Sequence, residues 1–263
     1  MEWLSLLWGT MVLRPYVFVF LAAYLAIAIP NIGVLRTLVF TLTSFIIAFS
    51  AEYSSTRNGF PFGYYSYIET TRGRELWISN VPFMDSLSYS FLAYVSYTMS
   101  VLIWSPLKRN VWDIRTDWDS VKGSLRVILT GAALFMMMDV IIDPVAFLGD
   151  RWFLGKIYTY REEGEYFNIP LTNFGGWFIV GTAILFIFSK LDRWLDLRGP
   201  FISNNLPCIA LLGPGLYFGV LAFNLAVTFY IGEILMGFCG MAITAAILAL
   251  VMYKIRNPEA FRI

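Results

Sequence analysis

Two carboxylates stand where lipid should forbid them. Asp139 and Asp143 close the apolar run Phe135-Met-Met-Met-Asp139-Val-Ile-Ile-Asp143-Pro144. A charged Asp near the middle of a bilayer costs about 2.5–3.5 kcal/mol on insertion scales, so an intramembrane acid is a functional-site candidate. Four residues apart, both side chains fall on one helix face. Pro144 lacks the N–H that would extend the ladder and is expected to end the helix. Two carboxyls in a low-dielectric pocket cannot both ionise cheaply, so burial and repulsion hold a proton on one of them. A protonated acid beside an anionic one is an acid/base pair that needs no histidine and no cofactor.

The elements that carry this pair follow from composition. The 263 residues are 58% hydrophobic, 18% aromatic and 14% charged, with a mean hydropathy of +0.66. That places the chain among all-α polytopic membrane proteins, as a single integral-membrane domain over 1–263. A net charge of +1, from 19 basic and 18 acidic residues, argues against a nucleic-acid partner. The chain has no histidine, which excludes haem, diiron and zinc sites built on His. Cys208 and Cys239 lie in apolar runs and read as packing residues. The first apolar segment is read as a retained helix and not a cleaved leader.

Apolar runs of spanning length fall at about 13–29, 33–51, 83–104, 124–148, 171–189, 206–227 and 231–253, which predicts seven transmembrane helices. Twelve basic residues would share one side: Arg36, Lys108, Arg109, Arg115, Lys122, Arg126, Lys190, Arg193, Arg198, Lys254, Arg256 and Arg262. Seven would share the other: Arg14, Arg57, Arg72, Arg74, Arg151, Lys156 and Arg161. The positive-inside rule then predicts a multi-pass plasma-membrane protein with its N-terminus out and its C-terminus cytoplasmic. Two long loops, about 52–82 and 149–170, share the outer side. The first holds Phe60-Pro-Phe-Gly-Tyr-Tyr-Ser-Tyr67, whose aromatics and turn residues predict a cap packed at the membrane surface.

This topology gives the Asp pair company. Glu52 ends the second span, Asp85 begins the third and Glu233 begins the seventh, so all three join Asp139 and Asp143 at the outer end. Plainer roles exist: Glu52 could pair with Arg57, Asp85 could serve as a first-turn charge, and Glu233 could serve the start of the last helix. Asp139 lies deeper than a cap requires. Most of the aromatics read as interface belt and packing. Phe62, Tyr64, Tyr65, Tyr67, Trp152, Tyr166 and Trp177 are candidates to line an apolar tunnel near the acids and stabilise a cation over their faces.

The pattern Asp-x-x-x-Asp also occurs in membrane prenyltransferases, which use two Asp-rich motifs with Mg²⁺ on a diphosphate. At the outer end only one such motif is present, no second Asp-rich helix faces it, and converging Lys or Arg are few there. A retinal protein needs a lysine inside the bundle, whereas Lys254 sits at the end of the last helix. A proton-coupled transporter is the non-enzyme alternative, without evident repeats or broken helices to support it.

Three motifs in order carry a resemblance. They are Glu52-x₆-Gly59-Phe60-Pro61-Phe62-Gly63-Tyr64-Tyr65, then Asp139-x₃-Asp143-Pro144-x-Ala146, then Ile169-Pro170-x-x-Asn173-x-Gly175-Gly176-Trp177. Over about residues 45–180 the chain resembles the CruF-type carotenoid biosynthesis proteins. These are membrane carotenoid hydratases that include γ-carotene 1′-hydroxylase and bisanhydrobacterioruberin hydratase. The last two helices carry none of these motifs.

The resemblance implies a cofactor-independent hydro-lyase, with no metal, that adds water across the terminal 1,2 double bond of a ψ-end group. The substrate would be lycopene, γ-carotene or a fifty-carbon precursor, and the surroundings the bilayer and other carotenoid-pathway enzymes. On the chemistry, Asp139 or Asp143 would protonate C2 and leave the cation on tertiary C1. The other carboxylate and nearby rings would stabilise that cation, and one carboxylate would deprotonate the incoming water. Glu52 and Asp85 would hold the water or tune the pair, and Asn173 would position it. Phe62, Tyr64, Tyr65, Tyr166 and Trp177 would contact the polyene. Ring closure, as in lycopene cyclases, is the enzymatic alternative, in which an internal alkene meets the cation instead of water.

Overall fold

Helix α4 (Phe83–Trp104) is the axis of the molecule. Its apolar window is 94% buried, against 22% for α2 (Pro15–Ile32) and 28% for α9 (Ile234–Arg256). That explains a sequence rich in Ser and Tyr for a spanning helix. Ser86, Ser90, Ser96, Ser100, Tyr89, Tyr94 and Tyr97 all face other helices and not lipid, where small and hydroxylic residues pack and bond.

The computed structural model describes residues 2–110, 113–197 and 206–261; Arg198 and Arg262 of the charge count lie outside them. Among the described residues seven helices are long and apolar enough to cross a membrane. Besides α2, α4 and α9 these are α3 (Val34–Asn58), α6 (Leu125–Phe147), α7 (Leu171–Asp196) and α8 (Ile209–Tyr230). They form the predicted all-α polytopic architecture. A short helix, α5 (Trp118–Val121), precedes α6.

Several boundaries differ from expectation: α3 runs to Asn58, so that Glu52 lies within the helix and not at the start of the loop, and α7 runs to Asp196. Helix α6 runs through Pro144 to Phe147, because a proline in the final turns deletes few internal bonds and the chain needs only one more turn. A separate helix, α1 (Glu2–Leu13), precedes the first span and leaves Trp3, Leu4 and Trp8 exposed. Pro15 starts α2, where a missing N–H costs nothing. Between them Arg14 is buried and meets Glu75 through Nε and Nη2, both at 3.2 Å, while Nη1 donates to the Leu154 carbonyl. This fork fastens the start of the bundle to both long loops.

Those loops converge on one end of the bundle. Strand β1 (Tyr65–Tyr67) pairs antiparallel with β6 (Tyr158–Tyr160), in register Tyr65↔Tyr160, Ser66↔Thr159 and Tyr67↔Tyr158. A second small ribbon, β2 (Trp77–Ile78) with β3 (Val81–Pro82), leads directly into α4. At the opposite end β4 (Leu107–Asn110) pairs with β5 (Asp113–Thr116). Near it Arg36 and Lys122 bond Asp192 and Asp196, tying α3 to α7.

Candidate active site

Three helices each present an i, i+4 pair to one place. Asp85 and Tyr89 come from α4, Asp139 and Asp143 from α6, Asn173 and Trp177 from α7. Helix α3 adds Glu52, and Ser55 one turn later accepts the Phe62 amide at 3.0 Å, seating the aromatic loop against the helix. Gly176 lets that loop lie on α7, since a Cβ there would sit 2.7 Å from the Pro61 carbonyl oxygen.

The β1–β6 ribbon closes the site. Strand alternation turns Ser66 and Thr159 to solvent and all four tyrosines inward. Tyr65 and Tyr67 bond Oε2 of Glu52, and Tyr89 donates to Oε1 at 2.6 Å. Tyr67 also bonds Asp85. Tyr158 and Tyr160 bond the two oxygens of Asp143. Burial first, and the neighbouring carboxylates second, hold the Tyr65, Tyr67, Tyr158 and Tyr160 hydroxyls well above the ordinary tyrosine pKa of 10.0, so they stay protonated donors.

Asn173 joins the Asp pair. Its Nδ2 lies 2.7 Å from Oδ2 of Asp139 and 3.1 Å from Oδ2 of Asp143. Two amide hydrogens serve two carboxyls. Tyr67, by contrast, has one hydroxyl hydrogen for Glu52 and Asp85, so a proton carried by either acid completes that contact. The cluster is thus arranged to hold both charge and a transferable proton.

Two adjoining cavities meet at these acids. The smaller, of about 50 Å³, is lined by Glu52, Asp85, Asp143, Asn173, the four ribbon tyrosines, Tyr89, Phe62 and Trp177. At ~10–15 Å³ per water centre it has room for a few waters. The larger, of about 110 Å³, is walled mainly by apolar residues of α2, α4, α6 and α8, with Asp139 in its lining. Asp85, Asp143, Tyr158 and Trp177 line both. Trp177 stacks on Tyr89 at 4.5 Å and tilts against Phe135 at 4.6 Å, which fixes an aromatic face at this boundary.

The structure brings together Glu52, Asp85, Asp139, Asp143, Phe62, Tyr65, Tyr67, Asn173 and Trp177. Glu52 does not pair with Arg57, which donates instead to Asn80 Oδ1 at 2.8 Å and the Tyr53 carbonyl at 3.0 Å. Tyr64, Trp152 and Tyr166 stand apart from both cavities. Tyr64 is exposed beneath Arg161, whose guanidinium carbon lies 4.5 Å from the ring centre. Tyr166 packs on Phe167 and Phe174. Trp152 donates to the Val145 carbonyl at 2.9 Å. Glu233 pairs with Arg151, outside both linings.

Sequence reading missed Tyr89, Tyr158 and Tyr160. Signals existed for each: Tyr89 is four residues from Asp85, and Tyr158-Thr-Tyr160 repeats the spacing of Tyr65-Ser-Tyr67.

Fold and cavities define a polytopic helical membrane protein whose buried acids face a water-sized cavity on one side and an apolar cavity on the other. The chain belongs to the carotenoid biosynthesis protein family, whose model matches residues 10–248, and so has a role in carotenoid biosynthesis. The match agrees with the CruF-type resemblance and extends it from residues 45–180 to include α2, α8 and most of α9. No curated protein and no solved structure matches the chain.

Proposed function

We propose that the protein is a carotenoid hydratase acting on the terminal C1–C2 double bond of a ψ-end group. One observation carries this reading: Asp85, Asp143, Tyr158 and Trp177 line a polar and an apolar cavity at once. Hydration of an alkene needs that meeting of water and hydrocarbon at an acid.

Asp139, which lines only the apolar cavity, delivers its proton to C2. The π electrons form the new C–H bond, and the positive charge settles on tertiary C1. Trp177 offers its ring face to that charge. A water from the polar cavity bonds to C1 through oxygen and loses a proton to Asp143. With two tyrosine hydroxyls and the Asn173 amide donating to it, Asp143 is the member of the pair arranged to carry negative charge. Return of that proton to Asp139, past the shared Asn173, resets the site. The net change is one water added and one tertiary alcohol formed. Glu52 and Asp85, held by Tyr65, Tyr67 and Tyr89, orient the water.

Lycopene incubated with the protein in liposomes made with H₂¹⁸O tests the reaction. The expected pigment gains the mass of one water and carries ¹⁸O. A product of unchanged mass without label would mean cyclisation, and no new pigment would mean neither enzyme. Asp139→Asn and Asp143→Asn should each abolish product while folded protein remains in the membrane.

A further inference from the structure

We infer that the polyene reaches the acids sideways from lipid, through an aromatic gate between α2 and α8 formed by Tyr16, Phe20 and Phe223. The inference rests on the polyene reading of the site.

The apolar cavity has room for a chain end, not for a forty-carbon chain. Most of the substrate therefore stays in the bilayer while its end crosses the wall of the bundle. That wall differs around the cavity. Helix α4 is enclosed along nearly its whole length and offers no path to lipid. At the α2–α8 seam the lining comes from Tyr16, Val17 and Phe20 on one helix and Val220 and Asn224 on the other. Val17 is buried there, whereas Tyr16 and Phe20 keep part of their surface, and the face of α2 next to them carries Val19, which is 64% exposed.

Three rings fill the seam at this level. Tyr16 stacks on Phe223 with ring centres 5.8 Å apart and planes 17° from parallel. Phe20 meets Phe223 edge-on at 5.7 Å and reaches Phe91 of α4 at 5.9 Å. Tyr16, Phe20 and Phe223 are all half-buried. Rings held this way move by side-chain rotation, without breaking a backbone hydrogen bond. A flat conjugated chain can slide between them and trade one set of aromatic contacts for another. The Trp152–Phe153 turn packs on Tyr16 and Phe223 and roofs the gate. This gives Trp152 a role outside the acid cluster.

The test uses the full chain in proteoliposomes, with Cys208→Ser and Cys239→Ser to remove its own thiols. Phe20→Cys and Phe223→Cys are bridged by a short reducible thiol cross-linker before lycopene is added. Bound pigment is then read by visible absorbance after re-isolation. Bridging should lower bound pigment at least tenfold, and reduction should restore the variant's own level. A control bridge across α8 and α9, Phe229→Cys with Phe238→Cys, whose native rings lie 6.0 Å apart, should leave uptake unchanged. In a separate variant, Phe20→Leu with Phe223→Leu should speed uptake severalfold. Equal uptake by bridged and reduced protein, or unaltered uptake in the Leu variant, overturns the gate. A bridge that blocks binding in a protein that never yields labelled alcohol would keep the gate and remove the hydratase reading.

Discussion

Tyr65 lies directly opposite Tyr160 in the β1–β6 ribbon, one bonded to Glu52 and the other to Asp143. A strand pairing formed by two loops thus fixes the relation between carboxylates on two different helices. Slipping the register by one residue would turn one strand's tyrosines to solvent and bring Ser66 or Thr159 inward. Neither is long enough to replace a tyrosine across the cavity.

Removal of a ribbon hydroxyl should therefore reduce turnover without dismantling the bundle. Tyr160→Phe and Tyr158→Phe each delete one donor to Asp143. A hydrogen bond to a charged group is worth about 1.5–3 kcal/mol, so each change should lower the initial rate roughly ten- to hundredfold. The double variant should fall short of the product of the two, because both act on one carboxylate. Tyr65→Phe with Tyr160→Phe, which act on different acids, should come closer to multiplicative. Pigment-formation rates in a double-mutant cycle decide this.

The same tyrosines give stability a particular alkaline limit. Burial and the adjacent carboxylates raise their pKa in the folded protein above the unfolded value of 10.0. The neutral form is thus favoured by folding, and its contribution is complete below pH 10. Above that, the unfolded chain ionises first and stability falls with rising pH. Wild type should lose thermal stability more steeply above pH 10 than Tyr158→Phe with Tyr160→Phe. The absorbance rise of tyrosinate at pH 10 should match in the two proteins, since these hydroxyls do not ionise there.

Asn173 bridges the Asp pair, so Asn173→Ala should remove a side-chain donor that reaches both Asp139 and Asp143. The expected loss is about 1–3 kcal/mol of buried polar satisfaction, seen as a drop in melting temperature and in rate together. Asn173→Gln, with the amide displaced by one methylene, should recover stability more than rate. Equal recovery of both would assign Asn173 a structural role alone.

The seven spans, Asp139, Asp143 and Glu52 were legible because hydrophobic runs and an acid inside them are local signals. Asp85 was legible as a charge but ambiguous as a cap, and its bond to Tyr67 and its place in both cavity linings distinguish the two. The ribbon was not legible. Tyr65 and Tyr160 are far apart in the chain, and a three-residue strand carries too short an alternation to announce its pairing. Tyr64 was misplaced by the same limit: beside Tyr65 it has the same composition, but alternation sends it to the opposite face.

The Arg14–Glu75 fork should matter to folding far more than to chemistry. Both side chains are buried, so removing one leaves an uncompensated charge, at a cost of about 3–5 kcal/mol. Glu75→Gln or Arg14→Met should lower the melting temperature in detergent and loosen both long loops, exposing them to protease. Arg14→Met with Glu75→Met should melt above the worse single variant, because no lone charge remains buried.

Gly175 and Gly176 are neighbours with opposite expectations. A Cβ at Gly175 would meet no atom within 4 Å, whereas one at Gly176 would stand 2.7 Å from the Pro61 oxygen, 2.8 Å from its carbonyl carbon and 2.6 Å from the Phe62 ring. Both lie within α7, where alanine is favoured over glycine by roughly 0.5–1 kcal/mol. Gly175→Ala should therefore keep activity and raise the melting temperature slightly. Gly176→Ala gains the same helix propensity but presses on backbone that cannot rotate aside. The 59–63 loop must lift, carrying Phe62 away from Trp177, to which its ring centre now lies at 6.2 Å. Because the loop runs directly into β1, Tyr65 and Tyr67 would move with it and release Glu52. Melting and turnover should both fall for Gly176→Ala alone. Equal behaviour of the two alanine variants would show that the loop does not depend on this close approach.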